Sequence, residues 1–77
     1  MRVNVKLYSE LKRYAPGEDT VFMLEYPPGS TVGDLLDALK ISAEVPRFIL
    51  IDGMLSDENS PLTEGCTVVL FTPVCGG

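Results

Sequence analysis

The part of this sequence best suited to chemistry is its C-terminus, which ends in Gly76-Gly77. No side chain from Gly65 to Gly77 is charged, so the carboxylate of Gly77 is the only charge in this stretch. Glycine has no Cβ, so the doublet can pass through a narrow channel and lets another backbone approach closely. An enzyme could activate this unhindered carboxylate as an acyl-adenylate, and a sulfur donor could then displace AMP to leave a thiocarboxylate.

The residues before the doublet determine how far it can reach. Pro73 cannot donate a hydrogen bond to a β-ladder, so it is expected to end the last strand. Residues 73–77 then form a flexible tail that extends about 17 Å, long enough to enter a recessed active site on another protein. The residues expected to contact that partner are Phe71, Pro73, Val74 and Cys75. A terminal Gly-Gly alone is weak evidence, because chain ends commonly fray.

The two cysteines, Cys66 and Cys75, make neither a disulfide framework nor a structural zinc site, which would need four ligands. Cys66 is interpreted as a small, partly buried residue at the start of a strand. Cys75 is interpreted as a small neutral residue of the tail. The alternative for Cys75 is that its thiol, close to the carbonyl of Gly77, takes part in thioester or persulfide exchange.

The composition argues against several other functions. The chain has no histidine, which is the commonest general base, and no glycine-rich phosphate loop, so we expect no cofactor bound by the chain itself. Its net charge is −5 and its six basic residues are scattered, which argues against nucleic acid as a partner. No apolar run exceeds four residues, so we expect no membrane span and a reducing cytoplasm as the compartment.

The rest of the chain predicts one domain with five strands and one main helix. Alternating apolar residues, apolar runs and turn residues predict strands at 2–8, 20–26, 48–51, from 54, and 67–71. In the second strand, Phe22 and Leu24 are expected to face inward with Tyr26. Ser9 is expected to cap a short helical turn over 10–14. The dipeptide Asp52-Gly53 predicts a tight turn between the third and fourth strands.

The main helix is predicted after Thr31, the expected N-cap, with Asp34 near the positive helix end. Four apolar residues fall on a single stripe, at Val32, Leu35, Leu36 and Leu39. One helix covering one face of a mixed four- to five-stranded sheet is the β-grasp arrangement, an α+β fold. We therefore predict a β-grasp domain over residues 1–72, with its first and last strands parallel neighbours in the middle, and a tail over 73–77.

The chain resembles the MoaD/ThiS-type sulfur carriers along essentially its whole length, and the small subunit of molybdopterin synthase more than the thiamine-pathway carrier. The matching segments are Leu11-Lys12-Arg13, Thr31-Val32-Gly33-Asp34-Leu35-Leu36, Pro61-Leu62-Thr63-Glu64-Gly65 and Phe71-Thr72-Pro73-Val74-Cys75-Gly76-Gly77. This resemblance implies a ubiquitin-like β-grasp fold. It also implies that Gly77 is adenylated by an E1-like adenylating enzyme that uses ATP, and is then thiocarboxylated.

The same resemblance implies further partners for the tail. These are a sulfur donor, such as a cysteine desulfurase or a sulfurtransferase, and the large catalytic subunit of molybdopterin synthase as acceptor. The sequence departs from the family pattern at Asp52, Cys66 and Cys75, which leaves the acceptor open. The alternatives are a thiamine-type or other sulfur carrier, a ubiquitin-like modifier joined to lysines, and a plain interaction domain. Exposed apolar candidates for docking are Tyr8, Met23 and Met54.

Overall fold

A mixed five-stranded sheet packs against one α-helix in the computed structural model, which describes residues 1–73. The elements are β1 (Arg2–Leu7), a 3₁₀ helix (Ser9–Tyr14), β2 (Val21–Glu25), α1 (Val32–Ala38), β3 (Phe48–Ile51), β4 (Met54–Ser56) and β5 (Thr67–Phe71). The strand order is β2-β1-β5-β3-β4, with β1 and β5 parallel and the other neighbours antiparallel. The β-grasp prediction is therefore confirmed, with five strands.

The core lies between the sheet and the helix. Every second residue of β1 and β5 is fully buried there, beginning with Val3 and Val68. The helix contributes its predicted stripe, which is buried at Val32, Leu35, Leu36 and Leu39. Phe22 and Leu24 of β2 are half-buried against this core, as predicted. A strand period of two and a helix period of 3.6 thus direct the apolar side chains to one shared interior.

The start of α1 is fixed by a reciprocal contact between Thr31 and Asp34. Thr31 has extended backbone angles, and its N–H donates to Oδ2 of Asp34 over 2.9 Å. This is the carboxylate half of a capping box, in which the acidic side chain satisfies a backbone N–H that the helix leaves free. The chain leaves the helix through Lys40, whose φ of 60° lies in the left-handed region.

Replacing Asp34 with alanine is expected to lower the free energy of unfolding by about 1 kcal/mol, because the N–H of Thr31 loses its acceptor. The measurement is urea unfolding followed by circular dichroism. Asp37→Ala is the matched control, since Asp37 is exposed on the same helix, and its effect is expected to stay within about 0.5 kcal/mol. Equal losses in the two variants would contradict a capping role for Asp34.

The tight turn predicted at Asp52-Gly53 joins β3 and β4. Asp52 and Gly53 have φ values of 50° and 84°, which are the signs that a two-residue hairpin turn requires. Oδ1 of Asp52 accepts the N–H of Thr67 at 2.9 Å, and the N–H of Asp52 donates to the carbonyl of Thr67 at 2.9 Å. The hairpin is thereby joined to the first residue of β5.

The prediction that Ser9 caps the short helix is wrong. The 3₁₀ helix begins at Ser9 itself, the cap position is Tyr8, and no side chain caps it. The N–H of Leu11 donates to the carbonyl of Tyr8 at 3.1 Å instead, so the backbone already satisfies that donor.

No helix among residues 1–73 is long and apolar enough to cross a membrane.

Candidate functional site

The C-terminal segment leaves the domain from the middle of the sheet. β5 ends at Phe71, Thr72 is half-buried and Pro73 is exposed. The predicted site residues Val74, Cys75, Gly76 and Gly77 lie outside the described residues, so their roles remain predictions. The predicted boundary between domain and tail also remains a prediction, although β5 does end just before it.

The point of departure of the tail is held from both sides. β5 pairs with β1 through Leu7 opposite Leu70, and with β3 through Phe48 opposite Phe71. The N–H of Tyr8 also donates to the carbonyl of Leu70 at 2.9 Å, one residue before the end of the strand. A central strand bonded along both edges is the least mobile part of a sheet. Whatever follows Pro73 therefore starts from a fixed position.

The sheet face opposite the helix carries an apolar surface next to this departure point. We call it the outer apolar patch, and it consists of Phe48, Leu50, Leu55, Val69 and Phe71. The register places these side chains on one face in three neighbouring strands. Phe48 and Leu55 are 42% and 71% exposed, and the other three are half-buried. The rings of Phe48 and Phe71 lie 5.4 Å apart with an interplanar angle of 33°, within the range of favourable aromatic pairs.

The three docking candidates named from sequence are all exposed, but they do not share one face. Met23 pairs with Asn4 and lies on the outer face, near the far edge of the sheet. Tyr8 continues the outward alternation of β1. Met54 pairs with Ile51 and so points to the side of the sheet that carries the core. The patch itself, rather than Met54, is the apolar surface that adjoins the tail.

Arg47 is a residue whose role the sequence analysis missed. Its Nη1 donates to the carbonyl of Val45 at 2.9 Å, and its Nη2 lies 2.9 Å from Oε2 of Glu58. The side chain thereby ties the segment before β3 to the loop after β4, next to Phe48 of the patch. The Arg47 side chain as a whole is only 12% exposed, so it supports the position of the patch more than it offers a contact surface.

The polar groups near the tail are few. Ser9, Glu10 and Arg13 line a recess of about 610 Å³ together with Thr72 and Pro73. No group of three or more metal-ligating side chains occurs within residues 1–73. Burial, with a smaller contribution from the Asp34 carboxylate, raises the pKa of Tyr26. Tyr26 bonds to Met1, at the opposite end of β1 from the tail, so this perturbed group does not belong to the site.

The family of the protein follows from a comparison with known families. A model of the ThiS family matches residues 5–77, which is nearly the whole chain and includes the C-terminal doublet. The chain belongs to the ThiS family. This is a family of small carrier and modifier proteins.

Solved structures similar to this ThiS-family protein share its fold. Small archaeal modifier protein 1 from Haloferax volcanii is 23% identical, with a TM-score of 0.77 over 95% of this chain and 98% of that one. A putative molybdopterin converting factor subunit 1 from Pyrococcus furiosus is 24% identical, with a TM-score of 0.78 and the same coverage. No curated protein sequence matches the chain.

A third similar structure contains two proteins. It is a complex of subunits 1 and 2 of the molybdopterin-converting factor from Helicobacter pylori, in which the matched chain is 24% identical. The TM-score is 0.67, and the match covers all of both chains. At these identities the similarities establish the fold of the ThiS-family protein.

Proposed function

We propose that the protein is a sulfur carrier whose Gly77 carboxylate is adenylated and converted to a thiocarboxylate, which donates sulfur in molybdopterin biosynthesis. The observation that carries the proposal is the placement of β5. This strand is fixed on both edges and leads directly to a stretch without side-chain charge that ends in Gly76-Gly77. A rigid strand end followed by a slender tail suits a group that must be delivered into the active site of another protein.

Loading the tail takes two steps with sulfide and a third with a persulfide donor, and none of them uses a side chain of the carrier. An oxygen of the Gly77 carboxylate attacks the α-phosphorus of ATP on an E1-like adenylating enzyme, giving the acyl-adenylate and releasing pyrophosphate. Sulfide, or the terminal sulfur of a persulfide on a cysteine desulfurase or sulfurtransferase, then attacks the acyl carbon and displaces AMP. With a persulfide donor, a thiol must afterwards reduce the resulting acyl disulfide to free the thiocarboxylate. A large catalytic subunit would receive the loaded tail and accept its sulfur.

The test is intact mass spectrometry after incubation with an E1-like adenylating enzyme, ATP and sulfide. We expect a mass gain equal to one sulfur replacing one oxygen, located at Gly77 by fragmentation. Cys75→Ser is the matched control, because the proposal places sulfur on the carboxylate and not on the thiol. No mass gain with an enzyme that loads a known carrier, or a gain that disappears in Cys75→Ser, would contradict the proposal.

The outer apolar patch is proposed to dock the partners of the tail. Leu55→Glu is expected to weaken binding to the adenylating enzyme about tenfold, because a charge would be desolvated in an apolar contact. Met54→Glu is the matched control, since Met54 is 72% exposed on the same strand but outside the patch. Isothermal titration calorimetry measures both affinities. Equal affinities in the two variants would exclude the patch as the docking surface.

Conjugation to lysines of other proteins is the second candidate. It is favoured by the fold shared with small archaeal modifier protein 1 and by the tail, because the same acyl-adenylate can be attacked by an amine. A ladder of high-mass conjugates in cells that express a tagged chain, lost on removal of Gly76-Gly77, would support the modifier. A thiamine-type or other carrier would form the same thiocarboxylate. Such a carrier would be recognised by its failure, once loaded with sulfur, to convert the molybdopterin precursor.

A further inference from the structure

β2 is an edge strand whose free side is not covered by any element among residues 1–73, where its one neighbour in the sheet is β1. The N–H of Leu7 donates to the carbonyl of Thr20 at 2.8 Å, and the N–H of Tyr26 donates to the carbonyl of Met1 at 2.9 Å. Residues in an antiparallel ladder alternate between bonded and non-bonded pairs. The backbone N–H and C=O groups of residues 21, 23 and 25 therefore point away from the sheet.

The side chains of β2 make this edge unusual. Residues 21–24 are four consecutive apolar residues, and Val21 and Met23 are 56% and 58% exposed. Edge strands are normally protected by lysine, by proline, by a bulge or by being very short. β2 has five residues in uninterrupted register with β1 and contains no lysine, proline or bulge, and its one charged side chain is Glu25 at its last position. The opposite edge, β4, has only three residues. β2 is thus an unprotected edge that favours pairing with another strand.

We propose that β2 pairs antiparallel with β2 of a second copy of this chain, across a two-fold axis at Met23. In this register Met23 lies opposite its own counterpart, and Val21 lies opposite Glu25 of the second copy. All three outward-pointing residues then form hydrogen-bonded pairs, giving about six new backbone hydrogen bonds. In this register every outward-pointing residue of β2 is paired with a residue of the same strand in the second copy. A second copy of the chain is therefore the proposed binding partner.

Charges and apolar side chains also fit this arrangement. On the outer face, Glu25 of the second copy would lie between two residues. One is Arg2 of the same copy, 3.8 Å away, and the other is Val21 of the first copy, which pairs with Lys6. Positive and negative side chains therefore alternate across the new sheet, and no like charges face each other. On the inner face, Phe22 lies beside Leu24 of the second copy, so two half-buried side chains on each copy gain cover.

The dimer leaves the proposed carrier site open. The two copies of β5 would be separated by five strand spacings, about 24 Å, and would run in opposite directions. The tails therefore leave at opposite ends of a ten-stranded sheet, and the outer apolar patch lies away from the axis. A contact made by one edge strand is smaller than the roughly 800 Å² per partner of a standard stable interface. The dimer is consequently expected to exchange with monomer.

Sedimentation velocity over a concentration series, with reductant to keep the Cys75 thiol free, tests the dimer. We expect the average mass to rise from monomer toward dimer. Amide exchange at residues 21, 23 and 25 is expected to slow as the concentration rises, while the edge strand β4 is unaffected. A monomer at every concentration, or edge amides whose exchange does not depend on concentration, would overturn the proposal. The outcome of this test does not depend on whether the chain is a sulfur carrier.

Met23→Lys places two ammonium groups at the axis and is expected to weaken self-association about tenfold. Met54→Lys is the matched control, because Met54 is similarly exposed on the opposite edge, and it is expected to dimerise like the parent chain. Both variants are first checked for an unchanged thermal melt. If Met23→Lys self-associates like the parent, or Met54→Lys alone loses the dimer, β2 is not the interface. The concentration-dependent amide exchange of the parent chain tests the same surface without any substitution.

Discussion

Removing Gly76 and Gly77 is expected to abolish thiocarboxylate formation while leaving the unfolding transition unchanged. The Gly77 acyl group that is proposed to accept sulfur would be lost, and the new terminal carboxylate, on Cys75, would be two residues short of the adenylating centre. β5 ends at Phe71, and the buried apolar residues among 1–73 all precede that residue. Intact mass spectrometry after incubation with adenylating enzyme, ATP and sulfide measures the loss. Urea unfolding of the same sample shows whether the domain is intact.

A less severe change at the same site tests whether the residue next to Gly77 must lack a side chain. Gly76→Val keeps the terminal carboxylate but adds a branched side chain next to it. It is expected to slow loading about 100-fold, because small displacements of a reacting group can cost two orders of magnitude in rate. Sulfur uptake by the chain without the doublet would place the acceptor elsewhere, and Cys75 would then be the first candidate.

Leu70→Ala is expected to destabilise the domain by about 2–5 kcal/mol, because Leu70 is fully buried in the central strand and its loss leaves a cavity. A domain of this length has a total stability on the order of 5–10 kcal/mol. The substitution is therefore expected to remove much of it and to lower the melting temperature by about 8–40 °C, at about 4–8 °C for each kcal/mol lost. Circular dichroism during thermal and urea unfolding measures both quantities.

Val69→Ala is the control for this effect. Val69 is the preceding residue in the same strand, but it is half-buried on the outer face. Its truncation is expected to cost about 1 kcal/mol, since less apolar area is lost and no enclosed cavity forms. Similar losses of stability at the two positions would contradict the structure, in which Leu70 lies in the core and Val69 lies on the outer face.

The order of elements and the position of the core could be predicted from sequence, because both depend on local periodicity. The alternation from Val3 to Leu7 and the stripe on α1 each identify a buried face without reference to the rest of the chain. The Asp52-Gly53 turn was equally predictable, since its backbone angles restrict the residues that can form it. The importance of Gly77 was inferred from its residue type together with the β-grasp order of elements and the family resemblance, and it remains a prediction.

The outer apolar patch could not be predicted, because it depends on register. Residues 48–51 are all apolar, so no alternation shows which of them face outward. The pairing of Phe48 with Phe71 determines the face, and it joins residues far apart in the chain. The bond between Arg47 and Glu58 spans eleven positions and is equally invisible to local patterns. The proposed acceptor of the sulfur is another protein, so local patterns in this chain do not identify it.

The position of β5 also determines how the protein responds to mechanical force. A machine that grips the C-terminus pulls along the axis of a strand bonded to β1 on one side and to β3 on the other. The hydrogen bonds lie across the direction of pull, so they are loaded together in shear and must break collectively rather than one at a time. A carrier caught by its tail is therefore expected to resist extraction far better than its small size suggests.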